Sequence, residues 1–338
     1  MRRVIAVAMI VIAVFVGGNT CAQAQFKLRA SLDTSPAHAR TIAVAHYLKR
    51  LQERSGNRIQ TELFSSGQLF RDRDVVKGLR QGAIEMAVPG SWVLTGFVPD
   101  ADVFQLPSFF GQPAPIIYAA VDGGIGKIID DQLQSKLGVK LLGPWLPLGY
   151  QNTYSTSRPI RGFADLAGMK IRNSGGAGQA IRAKFFNAQP NMTAWPDVPL
   201  ALSQGTFDGL CSTDESLASA KLWDSGVKYG FADHEFIGFY IPMVSDSFYK
   251  KLPPDLQAML VDVWNENIAG YRENMEAAQL QARHTLEANG VVFVSPPDSD
   301  LADVRERMMP MQDAVAKELR ISPALQQQVQ ADLKANGS

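Results

Sequence analysis

The chain has 338 residues, of which 46% are hydrophobic, and its 33 basic and 33 acidic side chains give a formal net charge of +0. This length predicts about two globular domains, and the composition is ordinary for an α/β protein. The balanced charge and the absence of a run of like charges give no indication of a nucleic-acid-binding surface, so we expect no nucleic acid partner.

The first part of the chain, residues 1–24, has the pattern of a secretory signal peptide. Two arginines precede an apolar run at 4–16, and Ala-Gln-Ala at 22–24 supplies the small residues that a signal peptidase requires. The run is short for a bilayer span, which needs about 20 residues. We predict cleavage after residue 24, with a membrane anchor or a lipoprotein modified at Cys21 as alternatives. Cleavage would leave Cys211 alone, so no internal disulfide is expected.

Strands and helices alternate in the next part of the chain. Strands are predicted at 26–32, 59–64 and 84–88, and helices at 39–55 and 72–81. This alternation indicates an α/β fold with a mainly parallel sheet flanked by helices. Ligands of such sheets bind beyond the carboxyl ends of the strands. On this geometry the candidate binding residues are Asp33, His38, Ser91 and Trp92.

One internal match bears on the number of lobes. Residues 79–85 and 202–208 agree in their leucine, glutamine, glycine and acidic positions. Each segment is predicted to be a helix whose glycine stop leads into a strand. Two lobes built on similar units, with a cleft between them, would explain the match. The alternative is a common helix-to-strand junction that occurs twice by chance.

The chain is predicted to pass between the lobes near Gly149. Residues 97–110 are rich in proline and aromatic residues with little periodicity, which indicates an irregular segment packed on the first lobe. The domain prediction is lobe I from 25–149 plus about 236–270, and lobe II from 150–235 plus about 271–338.

The segment from Gly168 to Asp214 holds the strongest binding signals. Arg172 ends a short predicted strand, and a guanidinium is shaped to hold a carboxylate through two parallel hydrogen bonds. Trp195 stands at a predicted helix start, so the two side chains are expected at one crevice. Together they indicate an organic anion with an apolar body. The glycine-rich loop at 175–178 lacks the Gly-Lys-Ser/Thr ending of a phosphate-binding loop.

A long helix is predicted to begin at Pro253–Pro254 and to end at Gly290, because apolar residues recur at spacings of three and four between them. About 35 residues at 1.5 Å each span about 50 Å, which is longer than one small lobe. The helix is therefore predicted to span both lobes, with a break near Gly270 as the alternative. A strand at 291–294 and closing helices within 302–331 follow.

No pattern of catalytic or metal-binding residues is present in the sequence. The four histidines have neither His-x-x-x-His nor His-Glu-x-x-His spacing, and no Gly-x-Ser-x-Gly motif occurs. Cys211 with Asp214 and His234 would be a thiol nucleophile with a base, but a lone cysteine in an apolar strand is usually a core residue. We expect no catalytic residue, no metal and no cofactor. A secreted enzyme acting on organic acids is the weaker alternative.

The chain resembles the solute-binding proteins of tripartite ATP-independent periplasmic (TRAP) transporters, the DctP-like family. Four family motifs are found. Gly-Gln-Leu stands at 67–69, and Leu-x-Gly-x-Lys-x-Arg stands at 166–172. A helix related to Glu-Val-Tyr-x-Ala-Leu-Gln stands at 197–204, and Gly-x-x-Asp-Gly follows at 205–209. The resemblance covers nearly all of the mature chain. It implies a two-lobed periplasmic protein with a central cleft and a long helix across the hinge.

The resemblance also implies the roles of individual residues. Arg172 falls on the family arginine that binds the ligand carboxylate, and Trp195 falls where family members often place an aromatic ring. His38 fits a helix start better than a ligand contact. Loops that line the family's cleft from lobe I hold Asp33, Ser91 and Trp92.

Two positions depart from the family pattern. Ser212 stands where an asparagine is frequent, and Asn152 stands where a second arginine is frequent near the strand crossover. Both side chains can form hydrogen bonds, but one positive charge is missing. This departure disfavours a ligand with two closely held carboxylates. We expect a monocarboxylate such as a sugar acid, a hydroxy acid or an aromatic acid.

The resemblance implies a mechanism and partners as well. The organic anion is expected to pair with Arg172, contact the other lobe and stabilise the closed form. The closed complex would then dock on TRAP membrane permease subunits. The protein is expected to be a monomer in the periplasm. A periplasmic binding protein that feeds a sensor is the alternative.

Overall fold

A computed structural model describes residues 25–335 of the chain. It contains two mixed β-sheets flanked by helices, and the two halves face each other across a cleft. We define lobe I as the part that packs on the first sheet and lobe II as the part that packs on the second. The predicted signal peptide, including Cys21, lies outside the described residues.

The strands are short except for two. In chain order they are β1 (Phe26–Ser31), β2 (Ile59–Phe64), β3 (Met86–Ala87), β4 (Val139–Leu141), β5 (Leu146–Ser155), β6 (Lys170–Asn173), β7 (Gln189–Met192), β8 (Gly209–Ser212), β9 (Tyr229–Tyr240), β10 (Met243–Ser245) and β11 (Val292–Val294).

The helices cover both sheets. They are α1 (Ala39–Arg54), α2 (Val75–Arg80), α3 (Ala114–Asp122), α4 (Gly124–Leu137), α5 (Ala177–Phe185), α6 (Val198–Ser203), α7 (Asp214–Ser219), α8 (Asp246–Tyr249), α9 (Pro254–Ala288), α10 (Asp298–Met308), α11 (Gln312–Glu318) and α12 (Pro323–Ala335). Within residues 25–335, no helix combines the length and the apolar character needed to cross a bilayer.

The two sheets share one strand arrangement. The first has five strands in the order β2-β1-β3-β10-β4, and the second has six in the order β11-β9-β5-β8-β6-β7. In the first sheet β10 is the antiparallel strand, and in the second sheet β5 is. Counted from the edge strand β2 in the first sheet and from β7 in the second, strands one to three are parallel to one another, the fourth is antiparallel, and the fifth is again parallel to the first three. The predicted fold class, a mainly parallel α/β protein with two lobes, is confirmed.

The internal sequence match falls on equivalent junctions of the two sheets. Each junction follows a short helix, α2 or α6, and leads into the third strand of its sheet. In lobe I the Glu85 side chain accepts a hydrogen bond from the backbone N–H of Arg29 on β1, at 2.8 Å. In lobe II the Asp208 side chain accepts one from Lys170 on β6, also at 2.8 Å. The match therefore reflects a repeated structural unit.

The long strands β5 and β9 lie side by side and connect the lobes. Their antiparallel pairing extends from Leu146 to Ser155 on β5, with register shifts next to Gly149 and between Gln151 and Thr153. Gly149 has a φ of +100°, a conformation that glycine adopts without steric cost. The crossing predicted near this glycine thus falls within a continuous strand. The exact lobe boundaries remain predictions.

The long helix is continuous. α9 has 35 residues and no break near Gly270. It packs against α1 in lobe I, against β5, and against α7 in lobe II. The prediction that one helix spans both lobes is confirmed.

The end of the chain corrects part of the predicted lobe division. α10 packs in the core of lobe II through Leu301 and Met308. The following segment returns to lobe I, where Val315 and Leu325 are buried in the same core as the helices α3 and α4. The assignment of all of 271–338 to lobe II therefore does not hold for α11 and α12. Their apolar spacing predicted helices but carried no information about which core they would join.

Candidate functional site

The cleft lies at the carboxyl ends of strands from both sheets, where the α/β pattern predicts a ligand site. Lobe I contributes the segments that follow β1, β2 and β3, and lobe II contributes the ends of β6, β7 and β8. The hinge strands β5 and β9 form the floor. The lining residues are Asp33, Thr34, Arg71, Asp72, Arg73, Trp92, Val93, Leu148, Gln151, Arg172, Ser174, Ala194, Trp195, Ser212, Ser216 and Tyr240.

Five of the eight residues predicted as binding residues lie together in this cleft. Asp33 and Trp92 line it from lobe I, and Arg172, Trp195 and Ser212 line it from lobe II. These residues are far apart in the chain, and the strand ends bring them together. The two tryptophans provide apolar surface on opposite walls.

Arg172 is a buried cation on β6. It is 2% exposed, and its Nε donates to the backbone oxygen of Thr193 at 2.9 Å. Its guanidinium carbon lies 5.5 Å from the ring centre of Trp195. Within residues 25–335 it has no ion pair with an acidic side chain. Burial lowers the pKa of Arg172 to about 10, so the side chain is still charged at neutral pH.

A second buried arginine, Arg40, stands behind the lobe I wall, and its charge is fully paired. It contacts Asp33 Oδ1 at 2.5 Å and Asp72 Oδ2 at 2.7 Å, and it donates to the backbone oxygen of Val88 at 3.0 Å. Its carbon Cζ lies 4.1 Å from the ring centre of Tyr240. Burial and the nearby charge of Asp33 raise the pKa of Asp72 to about 7, against the lowering effect of Arg40. This wall therefore presents carboxyl oxygens to the cleft.

The other three predicted residues do not line the cleft. His38 is fully buried at the start of α1, where Nδ1 accepts from the Arg40 backbone N–H and Nε2 lies 3.1 Å from Ser216 Oγ. Ser91 is a buried residue of a short turn after β3. Asn152 lines a separate cavity on the hinge side, and its Oδ1 accepts from the His234 backbone N–H at 3.2 Å.

Several polar residues of the cleft were missed by the sequence predictions, among them Arg71, Arg73 and Gln151. Gln151 is the neighbour of the predicted Asn152, and successive side chains of a strand point to opposite faces. That alternation was the available signal, but it predicts the correct face only when the register is known, and β5 has a register shift immediately after Gln151. Arg71 and Arg73 follow β2 in a segment with no binding motif.

The two lobes contact each other around the cleft. The Arg71 side chain pairs with Asp197 of lobe II. Ser35 Oγ donates to the backbone oxygen of Ser219 at 3.3 Å, and the Ala39 backbone N–H donates to Glu215 Oε1 at 2.8 Å. The structure is therefore a closed form, with the cleft walls held face to face.

Comparison with known proteins gives the family. The model for bacterial extracellular solute-binding protein, family 7 (DctP), matches residues 31–318. The chain belongs to this family. The resemblance to TRAP solute-binding proteins is thereby confirmed.

Individual relatives of this family 7 protein are distant in sequence. It is 25% identical to the 2,3-diketo-L-gulonate-binding periplasmic protein of Escherichia coli over 80% of this chain and 82% of that protein. It is 24% identical to a solute-binding protein of Verminephrobacter eiseniae over 82% of each chain.

Solved structures share the fold of this family 7 protein closely. A sugar acid binding protein from Advenella mimigardefordensis, in complex with galactonate, has a TM-score of 0.85 at 20% identity, covering 92% of this chain and 99% of that one. A TRAP periplasmic solute binding protein from Sulfurospirillum deleyianum, with bound succinate, has a TM-score of 0.82 at 24% identity, covering 91% and 99%.

The possible thiol nucleophile of the family 7 protein lies in an unfavourable setting. Cys211 is buried on β8, and burial together with Glu235 and Asp233 raises the pKa of its thiol well above the ordinary value. Its sulfur lies 3.8 Å from Glu235 Oε2. Asp214 instead pairs with Arg283 at 2.9 Å. Within residues 25–335, no group of three or more His, Cys, Asp or Glu side chains could hold a metal ion.

Proposed function

We propose that this family 7 protein is the extracytoplasmic solute-binding subunit of a TRAP transporter, and that it captures a small organic acid in the cleft between its lobes. The ligand class is a monocarboxylate such as a sugar acid, a hydroxy acid or an aromatic acid. The protein does not alter its ligand chemically and delivers it to membrane permease subunits. We infer that it acts as a monomer in the periplasm.

The observation that carries this proposal is the unpaired charge of Arg172. A buried cation is costly unless an anion and hydrogen bonds compensate it. Arg40, on the other side of the cleft, has two carboxylates for this purpose, whereas Arg172 has only backbone oxygens. A ligand carboxylate would supply the missing countercharge, and two guanidinium N–H groups match its two oxygens.

The arrangement of the walls supports capture by closure. Arg172 and Trp195 belong to lobe II, while Asp33 and Trp92 belong to lobe I. A ligand that touches both walls stabilises the closed form, because it gains contacts there that the open form does not offer. The similarity to proteins solved with galactonate and with succinate supports an organic acid as the ligand.

A ligand screen followed by calorimetry tests the proposal. A true ligand raises the melting temperature of the protein, so a thermal-shift screen of organic acids identifies candidates. Calorimetry then compares wild type with Arg172→Met, and with Arg80→Met as a control at an exposed arginine that does not line the cleft. Truncation of one partner of a buried charge pair costs about 2 to 5 kcal/mol, so Arg172→Met should weaken binding at least about 30-fold. Equal affinity in Arg172→Met and wild type would contradict the proposal.

A further inference from the structure

Gln151 is a polar residue in the cleft floor whose role the family assignment leaves open. It lies on the hinge strand β5 and lines the cleft, and it is 3% exposed. Its Nε2 is buried and has no hydrogen-bond partner within residues 25–335. A buried donor without a partner is unfavourable, and such groups in folded proteins generally have a specific explanation.

The amide of Gln151 packs against two close neighbours. A Cβ added to Gly238 would lie 3.0 Å from Trp92 Cζ3 and 3.2 Å from Gln151 Nε2, so the amide packs closely on this glycine and beside the indole. Two other buried glutamines bond within the protein: Gln112 Nε2 donates to a backbone oxygen at 2.9 Å, and Gln179 Oε1 accepts from the Ser174 backbone N–H at 3.1 Å. A third, Gln105, has an amide oxygen without a partner within residues 25–335, but this residue does not line the cleft. Gln151 differs from all three because it lines the ligand cleft and its amide nitrogen has no partner within residues 25–335.

The lobe I wall limits which ligand groups can meet this amide. Asp33 and Asp72 carry carboxyl groups on the same cleft. These carboxyl groups are paired with Arg40 and turn mainly acceptor oxygens toward the ligand, so they favour hydroxyl donors over a second carboxylate. A ligand hydroxyl can accept from Gln151 Nε2 and donate its proton to a neighbouring oxygen. A carboxylate cannot donate, and an aliphatic or aromatic surface would leave the amide unpaired.

We propose that Gln151 is a specificity-determining residue that reads a hydroxyl group of the ligand, so that the site selects hydroxylated monocarboxylates over acids of the same skeleton without hydroxyls. This inference rests on the proposed function, since Arg172 is taken to hold the carboxylate. It narrows the ligand class to sugar acids and hydroxy acids, and it removes plain aromatic acids from the set.

Arg73 is the residue of the cleft that would favour a different ligand class, a dicarboxylate. This exposed arginine also lines the cleft and has no ion pair within residues 25–335. If it held a second carboxylate, the site would prefer a dicarboxylate. Its exposure leaves its charge solvated whether or not a ligand is bound, in contrast to the buried amide of Gln151.

Matched pairs of acids test the inference on the wild-type protein. Calorimetry compares galactonate with hexanoate, and galacturonate with cyclohexanecarboxylate, with adipate as the dicarboxylate probe. Because a site built to bond a hydroxyl discriminates strongly against the analogue that lacks it, the hydroxylated member should bind at least about tenfold more tightly in a pair. An unhydroxylated acid or adipate that binds as tightly as the best hydroxylated acid would overturn the inference.

A variant then assigns the selectivity to Gln151. Gln151→Met keeps the length of the side chain and removes the amide, and Gln60→Met makes the same change at an exposed position of β2. Gln151→Met should weaken binding of the hydroxylated acid about tenfold or more and change hexanoate binding less than twofold. An equal loss for both acids would show that the amide contacts the carboxylate, and no loss for either would show that it contacts nothing; both results overturn the inference. If Gln151→Met does not fold, Gln151→Asn, which retracts the amide, must give the same selective loss.

The design separates this inference from the proposed function. If none of the acids binds to the wild-type protein, both fail. If acids bind in a manner that depends on Arg172 but hydroxylated and unhydroxylated members bind equally, only the role of Gln151 fails.

Discussion

Arg71 and Asp197 form a two-point ion pair across the mouth of the cleft. Arg71 Nη1 lies 2.5 Å from Asp197 Oδ2, and Nη2 lies 2.9 Å from Oδ1. Arg71 belongs to lobe I, and Asp197 ends the turn of lobe II that also holds Trp195. Gly67 touches the same turn, since a Cβ built on it would lie 3.1 Å from Pro196. The pair therefore connects the lobes beside the predicted ligand wall.

We expect removal of this pair to favour the open form without destroying the site. Both side chains are partly solvated, with 42% and 46% exposed, and such pairs contribute about 0.2 to 1 kcal/mol. Arg71→Met or Asp197→Asn should therefore weaken ligand binding by up to about fivefold and increase the radius of gyration of the ligand-free protein in X-ray scattering.

The charge-swapped double variant is the control for this pair. Arg71→Asp combined with Asp197→Arg should recover most of the affinity that either single change loses, because the pair can form again with reversed orientation. A loss of a hundredfold in Arg71→Met would instead show that Arg71 binds the ligand directly.

The pKa of Asp72 predicts a pH dependence of binding. Burial and Asp33 raise this pKa to about 7 against the opposing effect of Arg40. An anion placed in the cleft would raise it further, so binding should take up protons near pH 7 and the affinity should fall as pH rises through 7. Calorimetry in two buffers with different ionisation enthalpies measures the proton uptake. Asp72→Asn should abolish it, and uptake that persists in this variant would contradict the assignment.

The same group affects stability in a defined direction. The pKa of Asp72 in the folded protein is above its unfolded value near 3.9, so the folded state binds more protons between about pH 4 and pH 7. The contribution of this carboxyl to the free energy of unfolding is present below pH 4 and is lost as pH rises through 7. Urea denaturation at several pH values gives the free energy of unfolding of wild type and of Asp72→Asn. The difference between the two at each pH isolates the contribution of this carboxyl. A difference that does not change with pH would contradict the prediction.

Two glycine substitutions should have opposite effects on stability. A Cβ on Gly270, in the interior of α9, would have no heavy atom within 4 Å, whereas one on Gly209 would lie 2.2 Å from the backbone oxygen of Tyr154. Gly270→Ala should raise the free energy of unfolding by about 0.5 to 1 kcal/mol, because glycine is unfavourable inside a helix. Gly209→Ala should lower it by more than that. Urea denaturation measures both, and a neutral Gly209→Ala would show that β8 can shift away from β5.

The sequence predicted the parts of the site that depend on local geometry. Arg172 lies near the end of β6 and Trp195 follows β7. The carboxyl ends of parallel strands meet at one edge of a sheet, so their positions could be predicted without knowing the register. The long helix could also be predicted from the sequence, because its apolar spacing continues through Gly270 without a capping residue.

The residues that were missed depend on contacts between distant parts of the chain. Gln151, and not Asn152, lines the cleft, and which face of β5 meets the cleft is set by its pairing with neighbouring strands. Arg71 acquires its partner only because lobe II closes over it. The packing of α11 and α12 on lobe I likewise depends on a surface formed by α3 and α4, more than 170 residues earlier in the chain.

The continuous helix α9 has a mechanical consequence. It is clamped to α1 at one end and to α7 at the other, and an unbroken helix resists bending. Separation of the lobes must therefore either bend α9 or shift one of its two contacts. The stiffness of α9 and the position of these contacts would then determine how far apart the lobes lie when no ligand is bound. Substitutions on the outer face of α9, outside the cleft, would then change ligand affinity by changing the stiffness of the helix.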